Sequence, residues 1–114
     1  MLFLSFNSAD VMEITNDTYV AFGNDDFTIE TWIYRSSGQT GGDVLFDGRP
    51  SGGNGPVIFL DGTNHLVLNL GVNQITGTTA LGVETWYHVA LTVEDNIAKL
   101  FLDGDQEGSN WNSE

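Results

Sequence analysis

The sequence predicts an all-β protein, an antiparallel two-sheet β-sandwich that folds as a single domain over residues 1–114. Short runs of β-branched and aromatic residues recur along the chain, separated by clusters of Gly, Asn and Asp, which is typical of sandwiches. The chain has 14 Gly and 2 Pro, a balance that indicates tight turns rather than a disordered linker. No segment shows the spacing of an amphipathic helix.

Strands are predicted at residues 2–6, 11–14, 27–34, 44–47, 57–60, 66–70, 74–78, 87–93 and 97–102. Apolar alternation is clearest at 27–34 and 86–93, where every second side chain is expected to point into the space between the sheets. These inward positions are Phe27, Ile29, Thr31, Ile33, Tyr87, Val89, Leu91 and Val93. Trp32 and Trp86 occupy the opposite faces of the same strands, and we expect both to be packing residues.

Two hairpins are predicted from the tetrapeptide Phe-Leu-Asp-Gly, which occurs at 59–62 and at 101–104. Asp-Gly favours a tight turn because Gly adopts positive φ without a steric penalty. After the first turn the chain returns as an apolar strand. After the second, residues 105–109 are polar, which leaves an exposed edge strand and a loop as alternatives.

The charge balance is strongly acidic, with 3 Lys and Arg against 16 Asp and Glu and a net charge of -13. Repulsion argues against nucleic acid and anionic membranes as partners, while solubility, divalent cations and basic protein surfaces are favoured. The absence of Cys excludes disulfides and thiolate catalysis. No signal peptide or transmembrane segment is recognisable, so no membrane insertion is predicted.

Several motifs resemble the laminin G-like/pentraxin superfamily, whose fold is the concanavalin A-like jelly roll. The segment at 26–34, DFTIETWIY, carries the strongest resemblance, and it is supported in family order by segments at 4–7, 74–79, 85–92 and 98–104. The resemblance covers nearly the whole chain. It implies a fold rather than a ligand, because this fold hosts lectins, protein-binding modules and glycosidases.

The resemblance also implies further C-terminal strands, because such domains usually continue after the second hairpin with two or more of them. We therefore predict a sandwich short of its C-terminal strands: a minimal version, a fragment, or a chain completed by a partner. An open sheet edge invites pairing with another strand. A homo-oligomer or a strand-completing partner chain is the expected consequence.

Catalytic chemistry is not predicted, and no catalytic residue is assigned. Glycoside hydrolysis needs two carboxylates across the sugar, and the E-x-D-x-x-E run of catalytic relatives is absent. Glu30 is the carboxylate expected to be partly buried, as a hydrogen-bonded residue within a strand. The two histidines, His65 and His88, are expected in a solvated turn and in a structural strand, and no Gly-x-Ser-x-Gly elbow is present.

Calcium is the one cofactor that the sequence suggests, since relatives often hold it at the loop rim of one sheet. Calcium binds carboxylate, amide and carbonyl oxygens. The predicted ligands are Asp43, Asp47 and Asp61, with Asn54 or Asn64 adding an amide oxygen. A second acidic cluster consists of Asp103, Asp105 and Glu107. The ordinary alternative for such residues is solvation in turns.

Two functions are predicted as alternatives. The first is a recognition module that binds a glycan or a protein surface through its loops and sheet edge, with Asn54, Asn64 and an exposed Trp111 as ligand-binding residues. Docking of Trp111 on the sandwich edge is the structural alternative. The second is a viral structural protein, such as a capsid decoration or tail component, because short laminin G-like proteins of tailed phages look similar. A virion or an extracellular surface is the expected location.

Overall fold

The computed structural model describes residues 5–6, 11–13, 25–50 and 54–112, with residues 111–112 described by their backbone alone. The strands within these residues are β1 (Phe27–Tyr34), β2 (Val44–Asp47), β3 (Pro56–Leu60), β4 (His65–Leu70), β5 (Asn73–Ala80), β6 (Trp86–Glu94), β7 (Ile97–Leu102) and β8 (Asp105–Asn112). They form two four-stranded antiparallel sheets, with strand orders β1-β6-β7-β8 and β2-β3-β4-β5. The predicted two-sheet sandwich is confirmed.

The strands predicted between residues 27 and 102 are all present, with small differences at their ends. The polar segment after the second hairpin is β8, an edge strand rather than a loop. The predicted strands at 2–6 and 11–14 fall largely on residues that the structure does not describe. Their described parts, residues 5–6 and 11–13, are not in a strand.

The core lies between the two sheets, as the apolar alternation along β1 and β6 predicted. Side chains from both sheets are fully buried there, namely Leu60, Leu66, Leu68, Val89, Leu91 and Leu100. Each buried leucine contributes about 1.5–3 kcal/mol to folding, so this layer dominates the stability of the sandwich. Thr31, which was expected to point inward, is exposed on the edge strand β1.

The two Asp-Gly hairpins fold differently. At the second, Asp103 and Gly104 both have positive φ, 50° and 86°, and form a two-residue turn between paired Leu102 and Asp105. At the first, the residue with positive φ is Asn64 (φ 66°) rather than glycine. The carboxylate of Asp61 holds that longer turn by accepting hydrogen bonds from the backbone N–H of Thr63 and of His65, at 2.8 and 3.0 Å.

A buried carboxylate connects the two sheets where β8 passes β5. Glu107 Oε2 accepts hydrogen bonds from the backbone N–H groups of Thr78 and Thr79 at 2.6 and 3.0 Å, and its Oε1 accepts one from the Thr79 hydroxyl at 2.6 Å. The pairing of β4 with β5 shifts register between His65 and Val67, which leaves these amides available. The edge strand β8 is therefore tied across the sandwich to the other sheet.

Candidate functional site

Aromatic rings are grouped on the outer face of the sheet β1-β6-β7-β8. The antiparallel register sets Trp32 beside His88 and Tyr34 beside Trp86. Ring centroids are 5.2 Å apart in each pair, with tilted planes. We call these four residues the aromatic row. The three large rings are exposed to solvent, by 62% for Trp32, 47% for Tyr34 and 37% for Trp86.

The aromatic row corrects the expectation that Trp32 and Trp86 are packing residues. Strand alternation sends the side chains next to the inward-facing positions outward, and the structure follows that alternation. Large exposed aromatics that are grouped on one surface indicate a binding surface more often than scattered ones do. The aromatic row is therefore the candidate functional site.

Neighbouring polar groups fix His88 within the aromatic row. Its Nε2 lies 3.4 Å from Glu30 Oε2. Its backbone N–H donates to Asp103 Oδ1 at 2.8 Å, and its carbonyl accepts a hydrogen bond from the Asp103 N–H at 2.8 Å. The Glu30 side chain, expected to be partly buried, is 66% exposed beside the rings, because it too occupies an outward position.

The carboxylates predicted to bind calcium are engaged separately. Asp47 forms an ion pair with Arg49 at 2.6 Å, and the hydrogen bond from that side chain is the main cause that lowers the pKa of Asp47. Asp61 stabilises its own turn, where the hydrogen bonds from the His65 backbone and then from Thr63 lower its pKa. The third carboxylate, Asp43, pairs with Arg35. In the part of the chain that the structure describes, no three His, Asp or Glu side chains are grouped closely enough to hold a metal ion.

Arg35 lies at the loop rim and collects several of the oxygen atoms expected to face calcium. The residue is only 4% exposed. Its guanidinium donates to Asp43 Oδ2 at 3.3 Å and to Asn64 Oδ1 at 2.9 Å. It also donates to the carbonyl oxygens of Leu81 and Gln39, at 3.2 and 3.4 Å. Asp43 and Asn64 therefore do converge, but on the guanidinium of Arg35.

The calcium prediction has a direct test in thermal unfolding with and without CaCl₂, after treatment with a chelator. A site built from Asp43, Asp47 and Asp61 would require Arg35 and Arg49 to release two of these carboxylates. We therefore expect the melting temperature to be unchanged by millimolar Ca²⁺. A saturable rise in melting temperature, which mass action produces when a ligand binds the folded state, would show that calcium does bind.

The residues predicted to bind a ligand do not form one site. Asn64 follows β3 and binds Arg35, whereas Asn54 precedes the same strand and is exposed at its other end. Trp111 lies in β8 opposite Ala98, and its side chain falls outside the described atoms. The second acidic cluster is also dispersed, since Asp103 binds the His88 backbone while Glu107 points into the sandwich. Neither Arg35 nor Glu107 was singled out from the sequence as a buried charge.

Comparison with protein families identifies the chain over nearly its whole length. The model of a laminin G-type family, described as the concanavalin A-like lectin/glucanases superfamily, matches residues 6–114. Comparisons with curated proteins and with solved structures found no match. Among the described residues, no helix has the length and apolar character that crossing a membrane requires.

Proposed function

The chain belongs to the concanavalin A-like lectin/glucanases superfamily, and we propose that it is a non-enzymatic recognition module that binds carbohydrate on the aromatic row. The observation that supports this proposal is the 62% exposure of Trp32 beside other exposed rings. Sugar rings have an apolar face that packs on exposed aromatic side chains, while nearby polar groups bind the hydroxyls. Glu30 and His88 offer such polar groups next to Trp32.

The non-enzymatic part of the proposal rests on how the carboxylates are used. Hydrolysis of a glycosidic bond requires a second carboxylate about 5–9 Å from the first, on the other side of the scissile bond. Beside the aromatic row, Glu30 lies next to His88, and Asp103, which is also exposed, accepts a hydrogen bond from the His88 backbone N–H. Glu107 and Asp43 are committed to hydrogen bonds within the fold.

Trp32→Ala is expected to weaken carbohydrate binding at least about tenfold, because exposed tryptophans at binding surfaces often contribute more than 1.4 kcal/mol. The binding target would first be found on a glycan array with the wild-type protein. Isothermal titration calorimetry would then compare the wild type and the variant. Val72→Ala is the matched control, since Val72 is 98% exposed and lies in the turn between β4 and β5, two strands of the other sheet.

Three results would contradict the proposal. A wild-type protein that binds no glycan would remove its basis. Binding that Trp32→Ala leaves intact would place the site elsewhere. Release of new reducing ends from a bound oligosaccharide would show that the protein is an enzyme. Far-UV circular dichroism of the variant would establish that lost binding does not reflect lost structure.

The protein-partner hypotheses remain predictions. They are a homo-oligomer, a strand-completing partner chain and a structural component of a tailed-phage virion. In the described sheets, the edge strands are β1 and β8 of one sheet and β2 and β5 of the other. Glu107 already connects the edge strands β8 and β5. We therefore expect an added strand to pair with β1 or β2 instead.

A further inference from the structure

The outer face that bears the aromatic row continues along β1, β6 and β7 as two further rows of side chains. Strand register places Glu30, Ala90, Phe101 and Gln106 side by side in the next row. The row after it consists of Thr28, Thr92 and Lys99. Successive rows are two residues apart along a strand, or about 6.6 Å, so the face from Tyr34 to Thr28 is about 20 Å long.

The middle of this face has no projecting side chain, because Ala90, the smallest residue in its row, lies between Glu30 and Phe101. At the end away from the aromatic row, a shallow depression of about 530 Å³ opens over β1, β6 and β7. Its lining includes the outward side chains of Thr28, Thr92, Lys99 and Phe101, together with Asp26 and Glu94. The face therefore has stacking surfaces at one end and hydrogen-bonding groups at the other.

The charge on this face is negative, in keeping with the net charge of -13 of the chain as a whole. Glu30 and Lys99 lie within its rows, and further carboxylates belong to Asp26 and Glu94 in the depression and to Asp103 beside His88. The two arginines lie elsewhere, in ion pairs with Asp43 and Asp47. A sulfated or carboxylated sugar would meet one lysine and several carboxylates, so electrostatic repulsion disfavours acidic chains.

We propose that the outer face of this sheet is an extended track for a linear, uncharged sugar chain that lies along β1 and β6. This inference rests on the proposed carbohydrate-binding function and adds the shape and charge of the ligand. One end of the chain stacks on the aromatic row. Further sugar units pass over Ala90 and reach Phe101, Thr28 and Lys99 in the depression.

The test is calorimetry with neutral linear oligosaccharides of two to six units, in a panel that covers several linkages, beside heparin and oligogalacturonate of matched length. For the linkage that binds, affinity is expected to rise at least about tenfold from two to five units. Phe101→Ala is expected to abolish most of that gain and to leave binding of the two-unit sugar unchanged. The double variant Thr28→Ala and Lys99→Ala repeats the test without removing an apolar side chain, in case Phe101→Ala fails to fold.

The outcomes separate this inference from the proposed function. Loss of all binding in Trp32→Ala, with no dependence on chain length in the wild type, would keep the carbohydrate site and overturn the track. Tighter binding of heparin or oligogalacturonate than of any neutral chain would overturn the charge argument and with it the proposal. Absence of binding to every sugar chain tested, neutral or acidic, or capture of a protein alone, would overturn both.

Discussion

Arg35→Met is expected to lower the free energy of unfolding by about 3 kcal/mol, because the acceptors around its buried guanidinium would lose their donor. The Arg35 side chain is only 5% exposed, and its guanidinium connects Asp43, Asn64 and the Leu81 carbonyl. Methionine fills a similar volume but donates no hydrogen bond. The buried carbonyl and the amide oxygen would then lack a donor, and each such group costs about 1–3 kcal/mol.

Arg49→Met is the matched control, since it is the same substitution at an arginine that also pairs with an aspartate. The Arg49–Asp47 pair is exposed, with 54% and 40% of the two side chains accessible, although its distance of 2.6 Å is shorter than the 3.3 Å of the Arg35 pair. Exposed ion pairs contribute about 0–1 kcal/mol because water and salt screen them. Urea denaturation of both variants measures the difference, and equal losses would contradict the structural role of Arg35.

Arg35→Lys refines this experiment. Lysine keeps the positive charge but lacks the planar guanidinium group with which arginine donates to several acceptors at once. We expect it to recover only part of the lost stability. Full recovery would mean that charge alone holds Asp43. In that case the hydrogen bonds to Asn64 and Leu81 would contribute little.

Strand alternation accounts for most of what could be predicted, because it is a local property of the backbone. It placed the side chains of β1 and β6 on the correct faces at nearly every position. Continued by one step past the strand, the same pattern places Arg35 inward after Phe27, Ile29 and Ile33, so its burial was within reach of sequence reasoning. The outward position of Trp32 follows from the same alternation.

The calcium ligands and Glu107 show where local patterns fail. Acidic residues in turns indicate a cation site only if their side chains converge, and convergence depends on distances between loops far apart in sequence. Here Asp43 and Asn64 meet across two loops, and the cation between them is a guanidinium. Glu107 lies in the polar run of β8, where nothing local marks it as buried. Its environment arises from the register shift in β5, on the other sheet.

Glu107→Ala is expected to destabilise the sandwich by about 3 kcal/mol, because the N–H groups of Thr78 and Thr79 would lose their acceptor in a buried place. Residue 107 is 6% exposed. The packing next to Glu107 is close. A Cβ added to its neighbour Gly108, which has a φ of 70°, would lie 2.7 Å from the Thr76 carbonyl oxygen. Glu30→Ala is the matched control at an exposed glutamate, for which we expect a change within about 0.5 kcal/mol.

The same residue predicts a pH dependence whose sign can be worked out. Burial raises the pKa of Glu107, but the hydrogen bonds from Thr79 and Thr78 outweigh it, so the pKa falls below its ordinary value of 4.5. A lowered folded-state pKa gives stability that is fully present above about 4.5 and is lost as the pH falls through the folded value. Glu107→Gln keeps the shape and one acceptor but cannot titrate.

The difference in unfolding free energy between the wild type and Glu107→Gln isolates this contribution, since all other carboxylates titrate in both proteins. We expect the difference to be constant between pH 5 and pH 7 and to shrink steadily as the pH is lowered below 4.5, because the wild-type carboxylate becomes protonated there. Urea denaturation at a series of pH values measures it. A difference that stays constant down to pH 3, or that grows in acid, would show that the carboxylate charge is not what joins β8 to β5.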